Sequence, residues 1–194
     1  MTHSVCPWWL GYLLASPLRR LGSDPAALLA PFVHPGDTVL EPGPGMGFFT
    51  VELARRVGPA GRVVAVDIQP RMLAGLERRL ARRGLGGRVE ARLAGPDTML
   101  LDGLQGRVDF VLAFAVVHEF PAPGPFFQQV ASTLKPGALL LLAEPRGHVS
   151  RARFQEELDA AGRAGLAAQP GPRARRSWTA LLALDPLPAG GSGA

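Results

Sequence analysis

Cysteine is nearly absent from this chain: among its 194 residues only Cys6 carries a thiol. No intrachain disulfide can form, which favours a cytoplasmic setting. Lysine is equally scarce, with Lys135 alone, so the net charge of +5 rests almost wholly on arginine. Arginine recognises phosphate and carboxylate well, and a basic balance admits nucleic acid or an acidic substrate. Yet the arginines are scattered along helix faces (Arg55, Arg56, Arg78, Arg79, Arg82, Arg83), and no aromatic residues interleave with them as stacking platforms would. That pattern points away from nucleic acid. Long hydrophobic runs are missing as well. The stretch from Trp8 to Ala15 is too short to span a bilayer, and Arg19 and Arg20 follow it where a secretory signal would place them in front. A soluble protein without stable membrane insertion is expected, with an interfacial role for the aromatic WWLGYLL segment left open.

What is present is a globular composition, 47% hydrophobic and 19% charged, on a length that suits one domain. Glycine and proline are plentiful, but they punctuate apolar runs rather than forming low-complexity tracts, and there is no internal repeat. Ser23-Asp24-Pro25 is a helix start, with a capping side chain followed by proline. That helix carries Leu28 and Leu29 and stops near Pro31; His34-Pro35-Gly36-Asp37 is a turn. Strands are expected at 38–42, 62–67, 88–93, 108–114 and 138–144, and a last pair at about 166–169 and 176–184. Helices are expected from Phe48, Pro70, Pro125 and Ser150. The runs Val63-Val64-Ala65-Val66 and Ala138 to Glu144 are apolar throughout, as in strands buried on both faces of a parallel sheet. Alternation of strands and helices predicts an α/β fold with helices on both faces, whose ligands bind beyond the carboxyl ends of the strands.

The first such end is the most informative. Thr38-Val39-Leu40 closes on Glu41, and glycine then occupies every second position: Gly43, Gly45 and Gly47. Glycine lets the backbone take positive φ and approach a ligand closely. Asp67 ends the second strand twenty positions beyond Gly47, where a carboxylate can accept the hydroxyls of a ribose. A dinucleotide site wants glycine or alanine at the sixth place of its fingerprint, and here that place holds Phe48. A Walker loop needs Gly-Lys-Ser/Thr, which does not occur. An acid at the head of the loop suits a ligand with an amino acid end, because an ammonium needs an acceptor.

These segments together (EPGPGMG, AVDI, VDFVLAFAVVHEF and LKPGALLLLAEP) resemble the class I S-adenosylmethionine-dependent methyltransferases, near the small-molecule branch that includes ubiquinone and menaquinone biosynthesis enzymes. The match covers about 36–146. The resemblance implies a Rossmann-like three-layer sandwich around a mostly parallel seven-stranded sheet, its last strand antiparallel. By the reading along the chain, 1–36 is a small helical lid or substrate segment, 37–184 the cofactor-binding domain, and the Gly/Pro-rich tail at 185–194 disordered. The resemblance further implies that Glu41, Gly43, Pro44, Gly45 and Gly47 hold the methionine end of S-adenosylmethionine. By the same resemblance Asp67 binds the ribose, Ile68 packs on the adenine, Asp97 meets the adenine amino group, and Ala113 with its neighbours lines the pocket.

Methyl transfer asks mainly for in-line placement of the acceptor, and for a base only where the acceptor must lose a proton. His118 follows the fourth strand, where it is either that base or a histidine capping the loop. His148 follows the fifth strand and reads as structural, as does Glu144, the residue that closes that strand. No Asn/Asp-Pro-Pro-aromatic stretch follows the fourth strand, against methylation of exocyclic base amines, and the sole cysteine precedes the sheet, against cytosine C5 chemistry. Arsenite methylation needs several cysteines, so Cys6 reads as a buried apolar residue. No two of His3, Cys6, His118 and His148 share a ligand-like spacing, so no metal is expected. The expected function is methyl transfer to a small-molecule acceptor. An RNA or protein acceptor, and a non-catalytic binding module, are the alternatives.

Overall fold

The computed structural model describes residues 24–95 and 98–185. Asp97, Cys6, the apolar N-terminal segment with most of the expected lid, and nearly all of the expected tail lie outside the described residues. The chain enters through a short helix α1 (Pro25–Leu29), where the Asp24 side chain accepts a hydrogen bond from Ala26 N at 3.0 Å. Strand β1 (Thr38–Pro42) leads through the glycine loop to helix α2 (Thr50–Val57). Strand β2 (Arg62–Asp67), helix α3 (Pro70–Ala81) and strand β3 (Val89–Leu93) follow. Strand β4 (Val108–Phe114), helix α4 (Pro123–Ala131) and strand β5 (Leu134–Pro145) continue the alternation. Helix α5 (Arg151–Arg163) and strands β6 (Leu166–Pro170) and β7 (Ser177–Leu184) complete it.

The seven strands lie in the order β3-β2-β1-β4-β5-β7-β6. Strands β1 to β5 pair in parallel, and β7 runs antiparallel between β5 and β6. The period-two alternation of strand side chains divides the core in two. Leu40, Val64, Val66, Val111, Leu140 and Leu142 face α4 and α5, where Phe126, Phe127 and Phe154 pack on them. Val39, Val63, Ala65, Phe110, Leu112 and Leu141 face the other way, onto Leu29, Leu53, Leu76 and Leu80 of α1, α2 and α3. Both faces are covered, so these strands carry apolar residues at nearly every position.

Three boundaries differ from the sequence reading. Helix α2 begins at Thr50 rather than Phe48, because Gly47 at φ 81° breaks the backbone path; Phe49 is the N-cap and its carbonyl accepts Leu53 N at 2.9 Å. Helix α4 begins two residues early, at Pro123. Pro125 sits in the first turn, where a missing N–H costs nothing. Lys135-Pro136-Gly137 is an irregularity inside β5 rather than a turn before it: Val108 pairs with Leu134 and Phe110 with Leu139.

Candidate functional site

The carboxyl ends of β1, β2, β4 and β5 deliver Glu41, Asp67, Phe114 and Glu144 to one edge of the sheet. Glu41 is only 3% exposed, and its Oε2 has no hydrogen-bond partner. Burial pushes its carboxyl up to about 8; the Thr50 hydroxyl works against this and the Asp67 charge adds to it. Thr50 Oγ1 nonetheless stands outside hydrogen-bonding geometry. A buried acid with an idle oxygen at a strand end is the acceptor a bound ammonium requires. Asp67 is buried as well, and its Oδ1 accepts Gln69 N at 2.9 Å. Burial pushes it up to about 6, while the N–H groups of Gln69, Gly45 and Ile68 hold it back. Asp67 therefore ties the end of β2 to the middle of the glycine loop.

The three glycines have positive φ for one reason and lack a side chain for different ones. Their φ values are 65°, 54° and 81° at Gly43, Gly45 and Gly47. A Cβ at Gly43 would lie 2.5 Å from Val116 Cγ2, and one at Gly47 would lie 2.5 Å from Leu76 Cδ1. Those two glycines admit the β4 loop and α3. A Cβ at Gly45 would meet nothing within 4 Å, so this glycine leaves open space for a ligand. Pro44 is buried and its carbonyl accepts Gly47 N at 3.0 Å, closing the loop. Ile68 is 48% exposed, an apolar surface beside Asp67 that suits a flat aromatic ring. Ala113 is fully buried in the core between strands, and the partly exposed Phe114 and Ala115 follow it at the rim.

The neighbouring rim is built from side chains. His118 lies in a single 3₁₀ turn (Val117–Glu119) after β4. Its Nδ1 meets Glu144 Oε2 at 2.5 Å, and Glu144 Oε1 accepts Val116 N at 3.2 Å and Val117 N at 2.8 Å. Burial acts to lower the His118 pKa, but the hydrogen bond and charge of Glu144 outweigh it and raise it above 6.5. With Nδ1 engaged, Nε2 is the nitrogen left for chemistry. Glu144 does close β5, as its position implies, but it also holds His118. The signal was an acid ending an otherwise apolar strand. His148 is exposed, with its ring centroid 6.1 Å from that of His118. Arg146 stacks 4.3 Å over Trp178, whose Nε1 donates to Val149 O at 3.0 Å. Pro145 pairs with Ser177, which brings the β6–β7 loop and its exposed Arg173, Arg175 and Arg176 to this same edge. A groove of about 300 Å³ lined by Phe32, Asp109 and Lys135 opens at the opposite end of the strands, away from these groups.

Residues 33–172 match the family described as Methyltransferase domain, and the chain belongs to that family. The described fold resembles a SAM-dependent methyltransferase from Aquifex aeolicus, at a TM-score of 0.80 and 25% identity over 92% of this chain and 98% of that one. S-adenosylmethionine is the cofactor that this family and fold carry, and the idle Glu41 oxygen, Asp67, open Gly45 and exposed Ile68 fit its ammonium, ribose, chain and adenine. Among curated relatives, the chain is 32% identical over 73% of its length to a ubiquinone biosynthesis O-methyltransferase from Caulobacter vibrioides. It is 32% identical over 87% of its length to a ribosomal RNA small subunit methyltransferase A from Rubrobacter xylanophilus. The chain spans 52% and 58% of those two relatives. Among the described residues no helix is long and apolar enough to cross a membrane.

Proposed function

We propose that this chain transfers the methyl group of S-adenosylmethionine to a small-molecule acceptor, with His118 as the base. The carrying observation is the buried, unpartnered Glu41 Oε2 beside Asp67 and the open face of Gly45. The cofactor supplies an electrophilic methyl on a sulfonium. Glu41 accepts from the ammonium, Asp67 takes the ribose hydroxyls, Gly45 gives the ligand chain room, and Ile68 covers the adenine. At the adjacent strand end, His118 Nε2 takes the proton that the acceptor loses. The His118 side chain is 22% exposed, so it is reachable from the surface at this edge.

Calorimetry with S-adenosylhomocysteine tests the donor site: the native chain should bind, and Asp67→Ala and Gly45→Val should lose most of the affinity. Normal binding by both folded variants would refute the assignment. Transfer of a radiolabelled methyl group across metabolite pools tests the acceptor class, and His118→Ala should abolish turnover of any acceptor that must lose a proton. An RNA acceptor is the second reading, favoured by Arg146, Arg173, Arg175 and Arg176 at the rim. Its mark is RNA binding that weakens steeply with salt.

A further inference from the structure

Glu144, at the end of β5, is fully buried, and both of its carboxyl oxygens are engaged. Oε1 accepts Val116 N at 3.2 Å and Val117 N at 2.8 Å, and Oε2 meets His118 Nδ1 at 2.5 Å. All three partners lie in the stretch after β4, so one side chain fixes both the backbone of that stretch and the ring it carries. The stretch is strained where it leaves the strand: Ala115 has φ 56°, a left-handed value that a residue with a Cβ adopts at a cost. Ala115 N donates to Ala143 O at 2.7 Å, and Glu144 takes the next two N–H groups, so β5 holds the strained turn residue by residue. Val116 lies against the glycine loop, where a Cβ at Gly43 would come to 2.5 Å from its Cγ2. The turn is thus held by β5 and by the loop after β1, and His118 is held with it. An ionised carboxylate offers only acceptors, so Nδ1 is the ring nitrogen that carries the proton and Nε2 is the bare one.

We propose that Glu144 is a positioning residue of the methyl-transfer reaction: it locks His118 in the tautomer protonated at Nδ1 and bare at Nε2, and so selects acceptors that present an O–H or N–H group to that nitrogen. The inference rests on the reading of His118 as the base. In the transfer, a lone pair of the acceptor oxygen or nitrogen forms the bond to the methyl carbon. The carbon–sulfur bond breaks, its electron pair stays on sulfur, and S-adenosylhomocysteine results. The acceptor proton passes to Nε2, and the Glu144 charge offsets the imidazolium so formed. An amide in place of the carboxyl reverses the tautomer. Val116 N and Val117 N need the amide oxygen, which turns the NH₂ group toward Nδ1; Nδ1 must then be bare, and Nε2 carries the proton.

The test reads the ring-nitrogen NMR signals of His118 in the isotope-labelled full chain, on the alkaline plateau of its titration. The signals are assigned by their loss in His118→Ala. In the native chain Nδ1 should be protonated and Nε2 bare. In Glu144→Gln the two nitrogens should exchange roles while S-adenosylhomocysteine still binds. Radiolabelled methyl transfer to metabolite pools by that variant should fall by about 100-fold or more, the loss of a general base. A bare Nδ1 in the native chain would overturn the proposal, and that outcome needs no variant to fold. A folded Glu144→Gln with the native tautomer, or one that transfers methyl at the native rate, would overturn it as well. If His118→Ala transfers methyl at the native rate, the base assignment falls while the tautomer spectrum stands. If the native chain fails to bind S-adenosylhomocysteine, the cofactor assignment falls instead.

Discussion

The proposed cofactor end and the proposed acceptor end occupy neighbouring strand termini of one sheet, yet they are made of different materials. At the cofactor end the work falls to the backbone. Three glycines at positive φ bend the chain after β1, two of them yielding space to Val116 and Leu76, and Asp67 draws in the Gly45 N–H of the loop. At the proposed acceptor end the backbone recedes and side chains assemble the site: Glu144 of β5 meets His118 after β4, and Arg146 after β5 stacks on Trp178 of β7. The first end can be written within thirty residues, because a turn is a local object. The second needs elements distant in sequence, and each residue in it has an ordinary appearance alone.

The largest expected effect separates structural from ligand-facing glycines. Gly43→Ala combines left-handed strain of about 1–2 kcal/mol with overpacking against Val116 of about 1–3 kcal/mol. Gly45→Ala carries only the strain, about 1–2 kcal/mol. Urea unfolding of the two variants should rank them in that order; equal losses would remove the distinction.

Next in size, Asp67→Ala should weaken S-adenosylhomocysteine binding by about 10–100-fold, since it removes a charged hydrogen-bonding group. His118→Ala should leave that binding within about twofold. A comparable loss in both, by calorimetry, would mean that the two ends are one site energetically.

A pH dependence follows from Glu41. Its carboxyl, raised to about 8, is mostly neutral at pH 7, whereas a bound ammonium favours the ionised form. Binding therefore releases a proton, and affinity for S-adenosylhomocysteine should rise from pH 6 to 8 by up to about tenfold per unit, then level off. Calorimetry in buffers of different ionisation enthalpy counts that proton, and Glu41→Gln should show neither the slope nor the release.

The smallest effect belongs to the rim. Arg146→Ala should cost about 0.5–1 kcal/mol of stability, the worth of an exposed cation–π contact, and leave cofactor binding unchanged. Thermal unfolding with and without S-adenosylhomocysteine reads both quantities.

Much of this molecule is legible in the order of its residues. Short, continuous apolar runs identify β2 and β4 to the residue, and Ser150 caps α5 as its position suggests, accepting Arg153 N at 3.1 Å. Helix starts drift by two residues, because the first turn tolerates either proline in α4 and because Gly47 delays α2. The glycine loop is legible as a loop, but which glycine faces a ligand and which faces Val116 or Leu76 is a matter of neighbours from β4 and α3. Glu157 reads as one more acid on a helix, three residues beyond Phe154 and so on its buried side; only the tertiary packing leaves its carboxyl fully buried with no hydrogen-bond partner. Sequence alone determines the strands, the turns and the donor motif, since backbone preference and hydrophobic period act over a few residues. The tertiary structure decides the charge states of Glu41 and His118, because those depend on which distant groups share their desolvated surroundings.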